Sequence, residues 1–235
     1  MTQSTLTSTD LQPAELAPYI QHTRIDADAT RDDMVAHARE AVTHGFNAAM
    51  VAASWVPVVA AELKGTGIEV ASALDFPTVG VMTSAGKAAE AAEIARLGAT
   101  QIDIGVQIGW LKSGRYDDFR EDIAGVVRAS GLPVKVMLEL PLLTEEEKQT
   151  AVELAMEAGA TYLKNASSGQ IETANPDSIR YLVERAREGV LVKASGSIKT
   201  YRQALGLLRA GAVLLGTSAG ISIVTDTGDE NTTSY

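Results

Sequence analysis

The chain has 235 residues, 46% of them hydrophobic and only 5% aromatic, with a formal net charge of −10 and no cysteine. Disulfides, thiolate metal sites and cysteine nucleophiles are excluded, and an acidic chain poor in aromatics argues against a nucleic acid partner. No apolar run reaches membrane-spanning length and no secretory h-region is present, so we expect a cytoplasmic protein that engages no membrane.

Residues 1–13 are rich in Ser and Thr and read as a flexible N-terminus. Residues 15–19 suit a short helix or turn, and residues 20–25 alternate apolar and polar like a strand. Asp28-Ala-Thr30-Arg-Asp-Asp33 offers an N-cap followed by acids in the first turn, and a helix runs to about His44, where Gly45 stops it. His37 and His44 fall in that helix and are expected at the surface. The histidine spacings do not match the i, i+4 pair of a helical metal site, so no metal is expected. Residues 47–53 form a buried strand, 55–64 a helix, and 68–74 a third strand leading into Asp75-Phe76-Pro77. An alanine-rich helix over 84–97 is closed by Gly98. Residues 101–106 make a fourth strand with Asp103 in its middle, and 116–129 an amphipathic helix.

Residues 133–139 form a fifth strand. Thr144 and Glu147 have capping-box spacing and open a helix to Ala158. A sixth strand ends at Lys164. Asn175 and Pro176 start a helix to about residue 188, and a seventh strand ends at Lys193. Residues 200–210 are helical, residues 212–216 an eighth strand, and residues 225–235 a flexible tail. Eight strands alternating with helices every roughly 25–30 residues predict parallel βαβ units. The fold class is α/β, a single (β/α)8 TIM barrel over residues 14–224. The alternative is a doubly wound open sheet, but no G-x-G-x-x-G or Walker A motif supports one.

Two lysines stand out. Gly159-Ala-Thr-Tyr-Leu-Lys164 and Gly189-Val-Leu-Val-Lys193 each close an apolar strand, and small residues follow both. A lysine facing a cleft from a strand end can lose its proton through desolvation or a second cation and attack a carbonyl. Asp103, Glu139, Lys164 and Lys193 fall on strands four to seven, so a closed barrel brings them to one mouth. This set suits carbon–carbon bond cleavage or formation through an imine. A plain rim of salt bridges is the alternative reading. Gly196 and Ser197 after strand seven, and Gly216 to Ser218 after strand eight, offer backbone N–H groups where barrels often hold phosphate. They also read as ordinary tight turns.

Val192-Lys193-Ala-Ser-Gly-Ser-Ile-Lys-Thr200 resembles the V-K-A-S-G-G-I-R-T segment of the deoxyribose-phosphate aldolases. Ile102-Asp103-Ile-Gly-Val-Gln-Ile-Gly-Trp-Leu-Lys-Ser-Gly114 is similar to their I-D-M-V-I-N-I-G-A-L-K-S-G. His22-Thr23 with Asp28-Ala-Thr30, Leu142-Leu-Thr144 and Leu215-Gly-Thr-Ser218 also fit, in the family's order, over residues 19–224. The resemblance implies a class I aldolase without cofactor or metal, cleaving 2-deoxyribose 5-phosphate reversibly to glyceraldehyde 3-phosphate and acetaldehyde. It implies Lys164 as the imine-forming residue, Lys193 as the cation beside it that depresses its pKa, and Asp103 as the proton-transfer acid. It places Gly196, Ser197, Gly216 and Ser218 around the phosphate, Ser168 and Gly169 are further candidate substrate or phosphate contacts, and family members are often homodimers, although no patch in the sequence points to one. Some family members end in Ser-Tyr, as this chain ends in Ser234-Tyr235, so Tyr235 is a candidate proton relay at the donor carbon.

The departures from the family pattern gather at the substrate. Gln21 stands where the family has Asp, and Met50-Val-Ala-Ala53 where it has C-V-N-P. Asp75 replaces the glycine before Phe-Pro, and Asn165-Ala-Ser-Ser-Gly169 replaces the T-S-T-G turn. Ser197 replaces the second glycine of the phosphate turn, where a Cβ crowds a close approach. We therefore expect retained lysine chemistry with a shifted aldehyde donor or acceptor. The alternatives are a related lyase or synthase of another pathway and a silent sugar-phosphate-binding barrel.

Overall fold

The computed structural model describes residues 11–228. Eight parallel strands close on themselves in chain order: β1 (Ile20–Arg24), β2 (Ala48–Ala52), β3 (Glu69–Leu74), β4 (Gln101–Gly105), β5 (Val134–Met137), β6 (Tyr162–Lys164), β7 (Leu191–Ser195) and β8 (Leu214–Thr217). Pairing of β1 with β8, Gln21 beside Gly216 and His22 beside Thr217, closes the barrel and removes the open-sheet alternative.

The helices are α1 (Arg31–His44), α2 (Val56–Leu63), α3 (Ser84–Arg96), α4 (Ile108–Lys112), α5 (Tyr116–Ser130), α6 (Glu145–Glu157), α7 (Pro176–Arg185), α8 (Tyr201–Arg209) and α9 (Gly220–Val224). The start signals act as the residues suggest. Thr30 and Asp33 cap α1 reciprocally, Thr144 and Glu147 cap α6, and Thr200 and Gln203 cap α8. Gly45 ends α1 at φ 70°, a conformation costly for residues with a Cβ. Two short helices, α4 and α9, lie where the sequence pattern showed none, since five residues carry too little periodicity.

Strand alternation places the site. Ile102 and Ile104 of β4, Val134 and Val136 of β5, Leu163 of β6, and Val192 and Ala194 of β7 pack outward into the shell under the helices. Their neighbours Asp103, Lys135, Lys164 and Lys193 therefore turn into the barrel. Among the described residues no helix is long and apolar enough to cross a membrane.

Candidate active site

Inside the barrel one carboxylate, Asp103, lies within reach of three amines, and Glu69 acts on one of them, Lys135, from farther away. Lys193 Nζ donates to Asp103 Oδ2 at 2.7 Å, and Lys164 Nζ donates to the same oxygen at 2.9 Å. Lys135 Nζ lies 3.2 Å from Asp103 Oδ1, out of hydrogen-bond alignment, and 5.6 Å from the Tyr162 ring centroid. Register explains the convergence, because Asp103 is level with Lys135, and Lys164 is level with Lys193. Asp103, Lys135 and Lys193 are at most 1% exposed, and Lys164, at the strand end, 5%.

Burial alone would raise the Asp103 pKa, but the charges of Lys164, Lys193 and Lys135 outweigh it and hold Asp103 well below the usual carboxylate range. Burial pushes Lys193 well below the usual lysine range. Lys164 and Lys135 add to that, against the opposing charge of Asp103. Lys135 is lowered by burial too, with Asp103 opposing. Three ammonium groups on one buried carboxylate would leave uncompensated charge, so the cluster holds fewer protons than amines. The sequence expectation cast Lys193 as the standing cation. In the structure Lys193 is itself an amine that burial depresses. Because Lys164 and Lys193 meet at one oxygen, a proton can pass between them.

Gln21 tunes this cluster without adding charge. Its Oε1 accepts from Lys193 at 2.6 Å, while its Nε2 donates to Gln101 Oε1 at 2.8 Å and Asn47 Oδ1 at 3.0 Å. An amide both accepts and donates, so it satisfies Lys193 yet does not favour the ammonium as an aspartate would.

The loops at the mouth lock the two reacting strands together. Asn165, next to Lys164, accepts from Ser195 N at 2.9 Å and donates to Ser195 O at 2.9 Å. Ser195 Oγ donates to Ala166 O at 2.7 Å. Glu139, just past β5 at φ 50°, accepts from Ser167 N at 2.9 Å, and burial raises its pKa. Gly216 faces Lys193, where a Cβ would stand 3.0 Å from Lys193 Cε.

Lys164 and Lys193 line a narrow pocket of about 20 Å³ with Ser168, Gly196, Ser197 and Gly216. It opens beside a wider cavity of about 880 Å³ at the mouth, which Gly169 borders. Gly196 must be glycine: at φ 121° its Cβ would lie 2.0 Å from Glu172 O. Ser197 sits at φ 48°, and a Cβ on Gly169 would fall 1.9 Å from Ser197 Oγ, so this hydroxyl covers the Gly169 backbone. Ser218 is half-buried just after β8 and borders neither cavity. Gly228, the last described residue, packs on the Lys199 backbone beyond the Ser197 turn, and Tyr235 lies outside the described residues.

Lys135 is a member of the site not expected from the sequence, although a lysine alternating with valines in residues 134–136 is a readable sign of an inward-facing cation. His37, expected at the surface, is buried. That side chain is 1% exposed against His22, and His44 is half-buried, because the α1 face toward β1 includes His37.

No family model matches the chain. Curated relatives do. The deoxyribose-phosphate aldolase of Thermosynechococcus vestitus is 40% identical over 210 residues, covering 89% of this chain and 96% of the relative. That of Rhodospirillum rubrum is 40% identical over 227 residues, covering 96% and 95%. Among solved structures, a tetrameric deoxyribose phosphate aldolase from Aeropyrum pernix superposes with TM-score 0.82 at 27% identity, covering 91% of each chain. An aldolase named QR15 gives TM-score 0.83 at 29% identity over 89% of this chain and 94% of its own. A barrel that gathers three buried amines on one carboxylate, with relatives this similar along nearly their whole length, belongs to the deoxyribose-phosphate aldolase family of aldehyde-lyases.

Proposed function

We propose that the chain cleaves 2-deoxyribose 5-phosphate, or a related 2-deoxy sugar, through an imine on Lys164. The observation that carries this reading is that Lys164 and Lys193 hydrogen-bond the same oxygen of Asp103 at the edge of a pocket. Lys164 enters the reaction in its unprotonated form, and Lys193, paired to the same Asp103 oxygen, stands beside it to exchange protons with the intermediates. The Lys164 amine adds to the C1 aldehyde and water leaves. Removal of the C3 hydroxyl proton by a base at the mouth breaks the C2–C3 bond, and the electron pair flows to the iminium nitrogen. Glyceraldehyde 3-phosphate departs, the enamine carbon takes a proton, and water releases acetaldehyde and the free lysine. The narrow pocket beside Lys164 suits a two-carbon donor, and the wide cavity the departing aldehyde. Ser168, Gly169, Gly196, Ser197, Gly216 and Ser218 are the proposed phosphate contacts, and Tyr235 the proposed relay.

Borohydride with acetaldehyde tests the central step. It should fix a reduced two-carbon adduct on Lys164. Lys164→Arg should keep the fold and lose the adduct, because a guanidinium cannot act as the amine. An adduct on another lysine, or none, would overturn the assignment and favour a silent binding barrel.

A second reading concerns the acceptor. The wide cavity is bordered by Ile25, Val51, Phe76 and Pro77 with Asp26 and Glu90, and among the described residues no Lys or Arg borders it. Ser197 also covers the Gly169 backbone near the phosphate turn. Both features favour an uncharged aldehyde over a dianionic phosphate. Comparison of kcat/KM on 2-deoxyribose 5-phosphate and 2-deoxyribose decides it, and a large preference for the phosphorylated sugar would sink this second reading. We also infer a cytoplasmic homodimer. Sedimentation reads the assembly, and the tetrameric Aeropyrum pernix relative shows that another assembly exists among similar proteins.

A further inference from the structure

A second set of ligating groups lies on the opposite face of β1 from the lysines. Gln21 points into the barrel, so its neighbour His22 points out toward α1. There it meets His37 and Glu40, three residues apart on the helix. His22 Nε2 is 3.2 Å from Glu40 Oε2, and His37 Nδ1 is 3.9 Å from the same oxygen. The two rings stack with centroids 4.5 Å apart, and the three ligand atoms lie within 4.8 Å of one another.

His37 Nε2 stands 3.1 Å from the His22 carbonyl oxygen. A carbonyl only accepts, so this nitrogen carries the proton, and a neutral His37 keeps its lone pair on Nδ1. That lone pair faces the Glu40 carboxylate, which is also an acceptor. Two facing acceptors repel unless something positive sits between them. A simple His22–Glu40 hydrogen bond accounts for one histidine and leaves the other in this opposition. A carbonyl that fixes one ring nitrogen and aims the other at a carboxylate is the support that metal-binding histidines usually have.

We propose that His22 Nε2, His37 Nδ1 and Glu40 Oε2 bind one divalent transition cation, best matched by Zn2+, which clamps α1 to β1. Two imidazoles and a carboxylate are a zinc donor set, and water completes the tetrahedron. Ligand atoms around tetrahedral zinc stand about 3.4 Å apart. The 3.2 Å separation is already there, the 3.9 Å one closes by a small shift of Glu40, whose side chain is 39% exposed, and the two ring nitrogens, within 4.8 Å of each other, close by a turn of the imidazoles. That exposure also gives the ion an entry path. Binding displaces the proton from His22 Nε2, and His22 Nδ1, buried without a hydrogen-bond partner among the described residues, carries it instead. The lysine cluster lies across the barrel wall, so the cation takes no part in imine formation.

The test uses full-length protein freed of any affinity tag, stripped with chelator and dialysed. Calorimetric titration with Zn2+ alone should show one cation per chain, and Co2+ should give visible bands of tetrahedral intensity. His37→Leu keeps an apolar-compatible side chain at a buried helix position. It should weaken Zn2+ binding at least about 100-fold and abolish the Co2+ bands, while retro-aldol turnover stays at the wild-type level. His44→Ala should bind as the wild type does. If His37→Leu loses its helical circular dichroism, Glu40→Gln takes its place with the same expected loss. Absence of stoichiometric binding in the wild type, or wild-type affinity in the folded His37 or Glu40 variant, would overturn the proposal.

Discussion

Two buried ion clusters in this barrel use the same groups in opposite proportions. At Lys87 one amine meets two carboxylates, with Asp75 Oδ2 at 2.9 Å and Asp122 Oδ2 at 2.7 Å, and it also donates to Gly105 O at 2.8 Å. At Asp103 one carboxylate meets three amines. The first arrangement saturates its ammonium. It ties α3 to α5 and holds the loop after β3, because Asp75 also accepts from the backbone N–H groups of Gly80, Val81 and Met82. The second leaves protons short of the number of amines, which is what a nucleophilic lysine requires. Equal burial therefore gives a rigid strut in one place and a reactive group in the other. The ratio of cations to anions decides which.

Breaking the reactive cluster should have the largest effect. Lys193→Met removes the amine that shares Asp103 Oδ2 with Lys164, and retro-aldol kcat should fall by about 1,000-fold with the fold retained. The residual pH profile sharpens the comparison. Lys193 is held well below the ordinary lysine range, so it stays neutral as pH falls until that lowered value is reached. Wild-type turnover should persist as pH falls below the ordinary lysine range, whereas in Lys193→Met the drop should move to higher pH. An unchanged profile would leave Lys193 with a packing role alone.

Breaking the strut should leave chemistry alone and cost stability. Lys87→Met leaves Asp75 and Asp122 buried without their cation, and unfolding free energy should fall by about 3–5 kcal/mol. Denaturant melts measure this, and kcat of the folded fraction should stay near the wild-type value.

The His22 and His37 pair should show a smaller, acid-sensitive contribution. Burial brings both down to about 4, helped at His22 by His44 and Arg24, and at His37 by His22 with Glu40 opposing. Unfolded histidines take up protons as pH drops through about 6.5, while these two stay neutral. The stability they contribute is therefore present above about 6.5 and lost as pH falls through about 4, at most about 3 kcal/mol for each histidine. Thermal melts in chelator across that range read it, and His37→Leu should flatten the loss.

The smallest effect belongs to the phosphate turn. Ser197→Gly removes the hydroxyl that covers Gly169 and relieves a non-glycine residue at φ 48°. KM for 2-deoxyribose 5-phosphate should fall by about tenfold, with KM for 2-deoxyribose unchanged. Equal change for both sugars would place the effect on the loop rather than on phosphate.

Much of this was legible in the residues. Strand and helix alternation, the Thr144 and Asn175 starts, and the Gly45 stop are local signals. Backbone sterics and hydrogen-bond capping act within a few residues, so a linear reading recovers them. Lys164, Lys193 and Asp103 could be picked out because a charged residue inside an apolar strand is costly and therefore conspicuous.

What the sequence could not state is how groups distant along the chain share one space. Lys193 and Asp103 are 90 positions apart, and Lys193 and Gln21 are 172 apart, yet each pair forms a hydrogen bond. Only closure of β1 onto β8 brings them together, so the count of three amines to one carboxylate is a property of the closed barrel. The placement of His37 against His22 is likewise set by how α1 docks on β1, since periodicity tells which residues share a helix face but not what that face meets. Local covalent and steric rules wrote the elements into the chain. Long-range packing, which fixes burial and the company each charge keeps, decided which lysine is a strut and which takes part in chemistry.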